Sequence, residues 1–304
     1  MKSVLFLIIF SVLYSQPIGG YQGSFATEVV DAKNIAYGNI GILNNNNSFG
    51  PIYNPGLISK KRFLIGLSYN YLSLNRYKNA AIIGFKVPPN ARASIGYIGS
   101  GVKNIIGRGY SGQLIDSFDW INHHLFFTFG IKLFKNISTG IKLNIFFQHL
   151  IEEVSSTGLG FDIGFLVKPI HKLDIGLTIR NIKAKSNWKI IMDDGTLRDY
   201  NEYYPLIYSL GGNLKLIPNL SLLNQIDIYS ITSIGYIGYE NKIGVEYKYE
   251  SLDKPIFLRF GINNKSYAIG FSASINKYTE LNYGLVLSRI NIGNSHVFTW
   301  DIIL

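Results

Sequence analysis

Cysteine is absent from the 304 residues. That excludes a disulfide framework, a thiolate metal site and a cysteine nucleophile. Charge is scarce as well: Asp, Glu, Lys and Arg make up 16%, against about 25% in an ordinary soluble domain. Mean hydropathy is slightly positive. From Phe63 onward helical periodicity is almost missing. What the chain has instead is aromatic side chains, 14% of its residues, led by 21 Tyr and 19 Phe.

The N-terminus accounts for part of the apolar excess. Lys2 precedes the run Val4–Phe10, and Ser15 is a small residue just beyond it. A basic start, a short apolar stretch and a small residue form a secretory leader. The run is too short for a membrane-spanning helix, which needs about 20 residues. The expected division is a signal peptide over 1–15, cleaved near Ser15, an N-terminal segment over 16–62, and one large β domain over 63–304. No Cys follows the leader to carry a lipid anchor.

The β domain shows period two. Phe63, Ile65, Leu67, Tyr69 and Tyr71 alternate with Gly66, Ser68 and Asn70. Leu173, Ile175, Leu177 and Ile179 alternate with Asp174, Gly176, Thr178 and Arg180. Tyr267, Ile269, Phe271 and Ala273 alternate with Ala268, Gly270 and Ser272. One apolar and one polar face define a half-buried strand. Breakers divide 63–304 into about fourteen such segments of roughly ten to fourteen residues, the length a tilted membrane strand needs. Connections alternate in length. Val87–Asn90, Phe134–Ile137, Pro169–His171, Ile217–Asn219 and Asn276–Lys277 are short, while 103–118, 184–204 and 231–237 read as long loops. Transmembrane barrels have short periplasmic turns and longer outer loops. Asn75–Tyr77 and Asn263–Lys265 depart from that rule as short outer connections.

A soluble sandwich would pack the apolar faces on one another, with shorter strands. A membrane barrel turns them to lipid and explains low charge, long strands and aromatic load together, since aromatic girdles form at both interfaces. The fold expected is therefore all-β: a transmembrane antiparallel barrel of about 14 strands, in the outer membrane of a Gram-negative bacterium. The last strand puts His296, Phe298, Trp300, Ile302 and Leu304 on one face. It resembles the C-terminal strand of bacterial outer-membrane barrels, whose final apolar residue is read by the barrel assembly machinery. Phe298, Trp300, Ile302 and Leu304 are the candidate assembly signal, with Leu304 in place of the usual aromatic.

Candidate chemistry is thin. His123-His124 suggests a metal pair, but strand neighbours point to opposite faces, which favours a lumen or interface histidine. Gly158-Leu-Gly160 lacks the following helix whose amides would hold a phosphate. Glu152-Glu153 reads as the end of an outer hairpin. Asp193-Asp194-Gly195 with Asp199 and Glu202 offers carboxylates suited to calcium, though Asp-Asp-Gly is first a turn. His149 and His296 with many serines promote no hydrolase motif. No catalytic residue, metal or cofactor is expected. The net charge of +10 is spread along polar strand faces and turns, which argues against nucleic acid. It allows attraction to lipopolysaccharide or another anion.

The run "YGNIGILNNNNSFGPIYNPGLIS" over 37–59 resembles the N-terminal region of the PorV/PorQ family, a branch of the FadL-like outer-membrane proteins. Asn54, Pro55, Gly56 and Leu57 match its Asn-Pro-Ala-Gly-Leu motif without the alanine. Residues 155–185 are similar to a family hairpin ending in Arg-Asn-Ile/Leu-Gly, with Lys183 in place of the glycine. Residues 203–216 resemble the strand that follows. The resemblance implies that residues 24–60 tuck into the barrel as a hatch or plug, with Gly38, Gly41 and Gly50 permitting irregular backbone. Pro55 then biases Asn54 away from helix, and Gly56 turns the chain toward Phe63. Of two readings, a gate and a static plug, the static plug is favoured. The resemblance also implies a non-enzymatic role beside the type IX secretion translocon and its cargo proteins. The alternative is FadL-like transport of a hydrophobic ligand. Outer-membrane lipid and lipopolysaccharide complete the expected partners.

Overall fold

The computed structural model describes residues 21–44, 47–59, 61–151, 154–192, 195–231, 235–251, 254–289 and 293–304. The expected leader with its cleavage near Ser15 lies outside the described residues, as do Glu152, Glu153, Asp193 and Asp194.

Among the described residues, three short helices precede the strands: α1 (Ser24–Thr27), α2 (Ala32–Ala36) and α3 (Gly50–Tyr53). Asp31 caps α2 by accepting from the Asn34 amide at 3.1 Å, and Pro51 sits in the first turn of α3, where its missing N–H is not needed. The strands are β1 (Phe63–Tyr71), β2 (Arg76–Val87), β3 (Ala91–Arg108), β4 (Leu114–Phe134) and β5 (Ile137–Ile151). They continue as β6 (Val154–Ile170), β7 (Leu173–Ile191), β8 (Leu197–Tyr203), β9 (Leu206–Ile217) and β10 (Leu220–Ile231). The last are β11 (Tyr236–Ser251), β12 (Lys254–Ile262), β13 (Ser266–Ser274), β14 (Thr279–Ser288) and β15 (Ser295–Ile303).

All pairings are antiparallel; apart from β7–β9 and the closing pair β1–β15 they join chain neighbours, and the sheet closes on itself. Leu64 of β1 lies opposite Ile303 of β15, and β6 pairs with β7. β8 and β9 share one place in the wall, because both pair with β7, Lys185 opposite Tyr203 and Arg180 opposite Ile207. The break between them is Tyr204-Pro205, where proline has no N–H for the ladder. Facing it, Asn181 and Lys183 adopt φ of 64° and 52°. Lys183 thus holds a left-handed backbone at the position where the resembling family carries glycine, the residue that adopts it without strain. Counting β8 and β9 as one interrupted strand gives a closed barrel of fourteen, as the periodicity predicts.

The two faces invert those of a soluble protein. Ser68, Asn70, Asn122, Thr128, Asn144, Asp162, Asp227, Asn282, Thr299 and Asp301 are buried on the inside. Leu67, Leu125, Phe127, Ile141, Phe165, Leu258, Phe271, Phe298 and Trp300 are exposed on the outside. Such an exterior is stable against hydrocarbon, where every backbone group must be satisfied within a closed ladder.

Two expected loops are not loops. Residues 103–118 contain the ends of β3 and β4, paired Ile105 to Phe118 and Ile106 to Ser117. Residues 184–204 contain the end of β7 and all of β8. Apart from Ala184, Ser186 and Tyr204, which are buried at the foot of the second, both ribbons are exposed or half-exposed on either face. Nothing selects an apolar side there, so the alternation fades while the backbone ladder continues. The rim slopes as a result. β4 has 21 residues and β1 has 9, and the short connections 72–75 and 263–265 mark the low side.

Candidate functional site: the filled lumen

A fourteen-strand barrel is too wide for its own side chains to fill. Residues 21–44 and 47–59 occupy the space. Val30, Tyr37, Ile40, Ile42, Leu43, Phe49, Ile52 and Tyr53 pack with the inward residues Ala80, Ile82, Ile98, Phe126 and Leu223 in one apolar cluster. Ala32 and Ile35 pack with Val297.

Asp31 organises this segment from within. Besides the Asn34 amide, it accepts from Asn34 Nδ2 at 3.1 Å, Asn47 Nδ2 at 2.7 Å and Tyr53 OH at 2.7 Å. The wall then holds the segment from several sides. Ser68 Oγ and Asn70 Nδ2 of β1 donate to the Val30 carbonyl at 2.6 and 2.8 Å. Gln225 Oε1 of β10 accepts from the Gly41 amide at 3.1 Å. Lys142 Nζ of β5 donates to the Ile52 carbonyl at 2.6 Å and pairs with Asp162 of β6 at 2.6 Å. Lys33 Nζ reaches Glu280 of β14 at 2.8 Å and Asp301 of β15 at 2.9 Å. Burial opposes the Lys33 charge, but these two carboxylates outweigh it and hold the pKa above the usual lysine range. Asp301 also receives Asn282 Nδ2 at 3.0 Å and the Ser48 hydroxyl.

The expected motif residues sit at the short-turn end. Asn54 is extended, with φ −144° and ψ 103°, the region a following proline enforces. Its Nδ2 donates to the carbonyls of Ile42 and Phe165, both at 3.0 Å, and its Oδ1 accepts from the Gly56 amide at 2.9 Å. Ser138 Oγ of β5 donates to the Gly56 carbonyl at 2.6 Å. Gly56 does not take a positive φ. It is a place of close approach: a methyl there would come 3.0 Å from the Gly164 carbonyl oxygen and from Asn54 Oδ1. Leu57 is buried. Gly38 does take a positive φ, 77°, and a methyl there would come 2.7 Å from the Ile262 amide of β12. Gly41 lies against the Tyr53 ring, and Gly50 begins α3 beside the Asn44 carbonyl.

Other candidates fall elsewhere. His123 faces outward and bonds Tyr97 OH at 2.6 Å, while His124 faces inward and bonds Asn144 Oδ1 at 2.8 Å. His296 bonds Tyr283 OH at 2.8 Å on the outer wall, and His149 is exposed on the same outer face. Gly158 and Gly160 are mid-strand in β6. Asp199 and Glu202 are on β8, and Glu202 accepts from Trp188 Nε1 at 2.7 Å. Among the described residues no three potential metal ligands converge. Phe298 and Trp300 face outward, and Leu304 follows β15 with its amide bonded to the Phe63 carbonyl at 2.9 Å.

The sequence reading missed Asp31, Lys33 and the wall residues that answer them. A usable signal was present: Lys78, Lys142, Asp162, Arg180, Asp227, Lys242 and Asp301 all fall on the polar register of strands otherwise poor in charge. The reading also missed a groove of 790 Å³ in the outer wall across β13–β15 and β1–β3. Leu67, Tyr69, Tyr97, Phe271, Tyr283, Phe298 and Trp300 line it, with Ala81 as a small residue in its bed.

No protein-family model and no curated protein matches the sequence. Solved structures do share the fold. The toluene transporter TbuX of Ralstonia pickettii superposes with a TM-score of 0.66 at 12% identity, over 92% of this chain and 100% of that one. The P. putida toluene transporter TodX gives 0.66 at 11%, over 91% and 99%. A Pseudomonas aeruginosa FadL homologue gives 0.61 at 9%, over 90% and 98%.

Proposed function

We propose that this chain is a FadL-like channel of the outer membrane that passes small hydrophobic molecules, with residues 21–59 as its plug. The observation that carries the reading is the aromatic groove on the lipid-facing wall, 790 Å³ in volume, beside a lumen closed by polar and apolar contacts of the plug. A groove of that size and lining suits a small apolar ligand. A solute dissolved in the bilayer meets it directly. The toluene transporters that share the fold support this reading over the secretion role implied by the PorV/PorQ resemblance, so transport now ranks first.

The test is uptake. Cells carrying the protein should accumulate radiolabelled toluene or a long-chain fatty acid faster than cells carrying an empty vector. Mass spectrometry of the purified barrel should find a bound apolar molecule. Uptake at the vector level for both compounds, with translocon components co-purifying, would return the secretion role to first place.

A further inference from the structure

Five of the seven descending strands, β2, β4, β6, β9 and β11, carry a lysine close to their short turns: Lys86, Lys132, Lys168, Lys215 and Lys248; the other two, β13 and β15, do not. Each lies two residues beyond an inward position: Gly84, Gly130, Leu166, Asn213 and Glu246. Strand side chains repeat every second residue, so all five occupy the inward register at the mouth of the barrel. Arg62, two residues before the buried Leu64, joins them. Two carboxylates at this mouth pair with ring members among the described residues: Asp174 with Lys168 at 3.0 Å and Glu250 with Lys248 at 2.7 Å. Lys86, Lys132 and Lys215 are exposed. The opposite end is mixed in sign, with Asp116, Asp119, Asp199 and Glu202 among Lys103, Arg108, Lys189 and Arg198.

We infer that this cationic ring is a docking face for a soluble periplasmic protein with an acidic surface. The register turns the ammonium groups across the mouth instead of outward to lipid headgroups. Size argues for a macromolecule. Strands about 4.8 Å apart and tilted about 40° give a fourteen-strand barrel a radius of about 14 Å. Lysines two strands apart are then separated by about 12 Å at the backbone, so one small anion engages one or two of them. The whole disc covers about 600 Å², close to the roughly 800 Å² each partner contributes to a standard interface. A rim with a net positive excess above a low-dielectric wall also speeds the encounter with an oppositely charged partner. The inference goes beyond transport and does not depend on it.

The full chain in phosphatidylcholine nanodiscs is titrated with a fluorescent 20-residue oligoglutamate as the acidic-protein probe. One probe should bind per barrel, with affinity falling steeply as salt rises. The triple variant Lys86→Glu, Lys132→Glu, Lys215→Glu should weaken binding at least tenfold. The triple variant Lys103→Glu, Arg108→Glu, Lys189→Glu, at the other end, should leave it unchanged. Equal weakening by both triples overturns the inference. So does displacement of the probe when phosphatidylglycerol is added to the disc, which assigns the ring to lipid. Competition by inorganic phosphate at matched ionic strength also overturns it, since that marks a small-anion site.

Discussion

Asn54 and Phe165 are 111 residues apart, yet the side-chain amide of one donates to the backbone carbonyl of the other at 3.0 Å. A single residue of the N-terminal segment is thereby stitched to β6, and the same amide group ties the segment to itself at Ile42. Asn54→Ala removes two donors and one acceptor from a buried site. Each orphaned buried group costs about 1–3 kcal/mol, so the plug should loosen more than the barrel does. Single-channel recordings should show longer or more frequent openings in Asn54→Ala than in wild type, with the folded barrel still resisting SDS at room temperature.

Gly164 is where that stitch requires the wall to be bare. A methyl on it would collide with Asn54 Oδ1, whereas a methyl on Gly212 would meet nothing within 4 Å. Overpacking of this kind costs about 1–3 kcal/mol. Gly164→Ala should lower the urea midpoint of the reconstituted barrel and raise its conductance, and Gly212→Ala should change neither.

Lys33 joins the plug to β14 and β15 through two carboxylates, one of them fully buried. Taking away one partner of a buried pair leaves an uncompensated charge, at about 3–5 kcal/mol. Lys33→Ala should be destabilising on that scale in urea titrations. It should cost more than Lys168→Ala, which breaks a pair at the exposed mouth, where such pairs contribute about 0–1 kcal/mol.

Deleting residues 24–58 removes what fills the lumen. Conductance in planar bilayers should rise from a closed or flickering level to a steady open one. An unchanged trace from the deleted form would show that the segment does not block the path.

The lipid-facing assignment has its own test. Leu67 is exposed in the middle of β1, and Leu114 is exposed on the ribbon beyond the wall. Arginine at a lipid-facing midplane position costs about 2–4 kcal/mol. Leu67→Arg should therefore destabilise the barrel in vesicles by that amount, while Leu114→Arg should be neutral.

Much of the wall was readable because lipid and lumen impose opposite demands on alternate residues. The alternation over Phe63–Tyr71 is observed as β1 with the same bounds, and that over Tyr267–Ala273 lies within β13 (Ser266–Ser274). Where those demands cease, the reading failed: all seven residues of β8 lack a buried side, and nothing in Leu197–Tyr203 distinguishes ribbon from loop. The motif Asn54–Leu57 could be picked out through its family likeness, but its partners could not. Phe165 answers Asn54 with a backbone carbonyl, which leaves no trace in residue identity. Lys33 finds Glu280 and Asp301 across most of the chain length, a distance no local pattern spans.

That separation sets an order of events. Ala32 bonds Thr299 at 2.9 Å across 267 positions, and Ser48 bonds Asp301 across 253. Neither contact exists until the last hairpin arrives, and loops of such length are slow to close. The part of the polypeptide made first is therefore the part whose seat is finished last. Any factor that escorts the nascent chain must keep this stretch unspent until β15 meets β1.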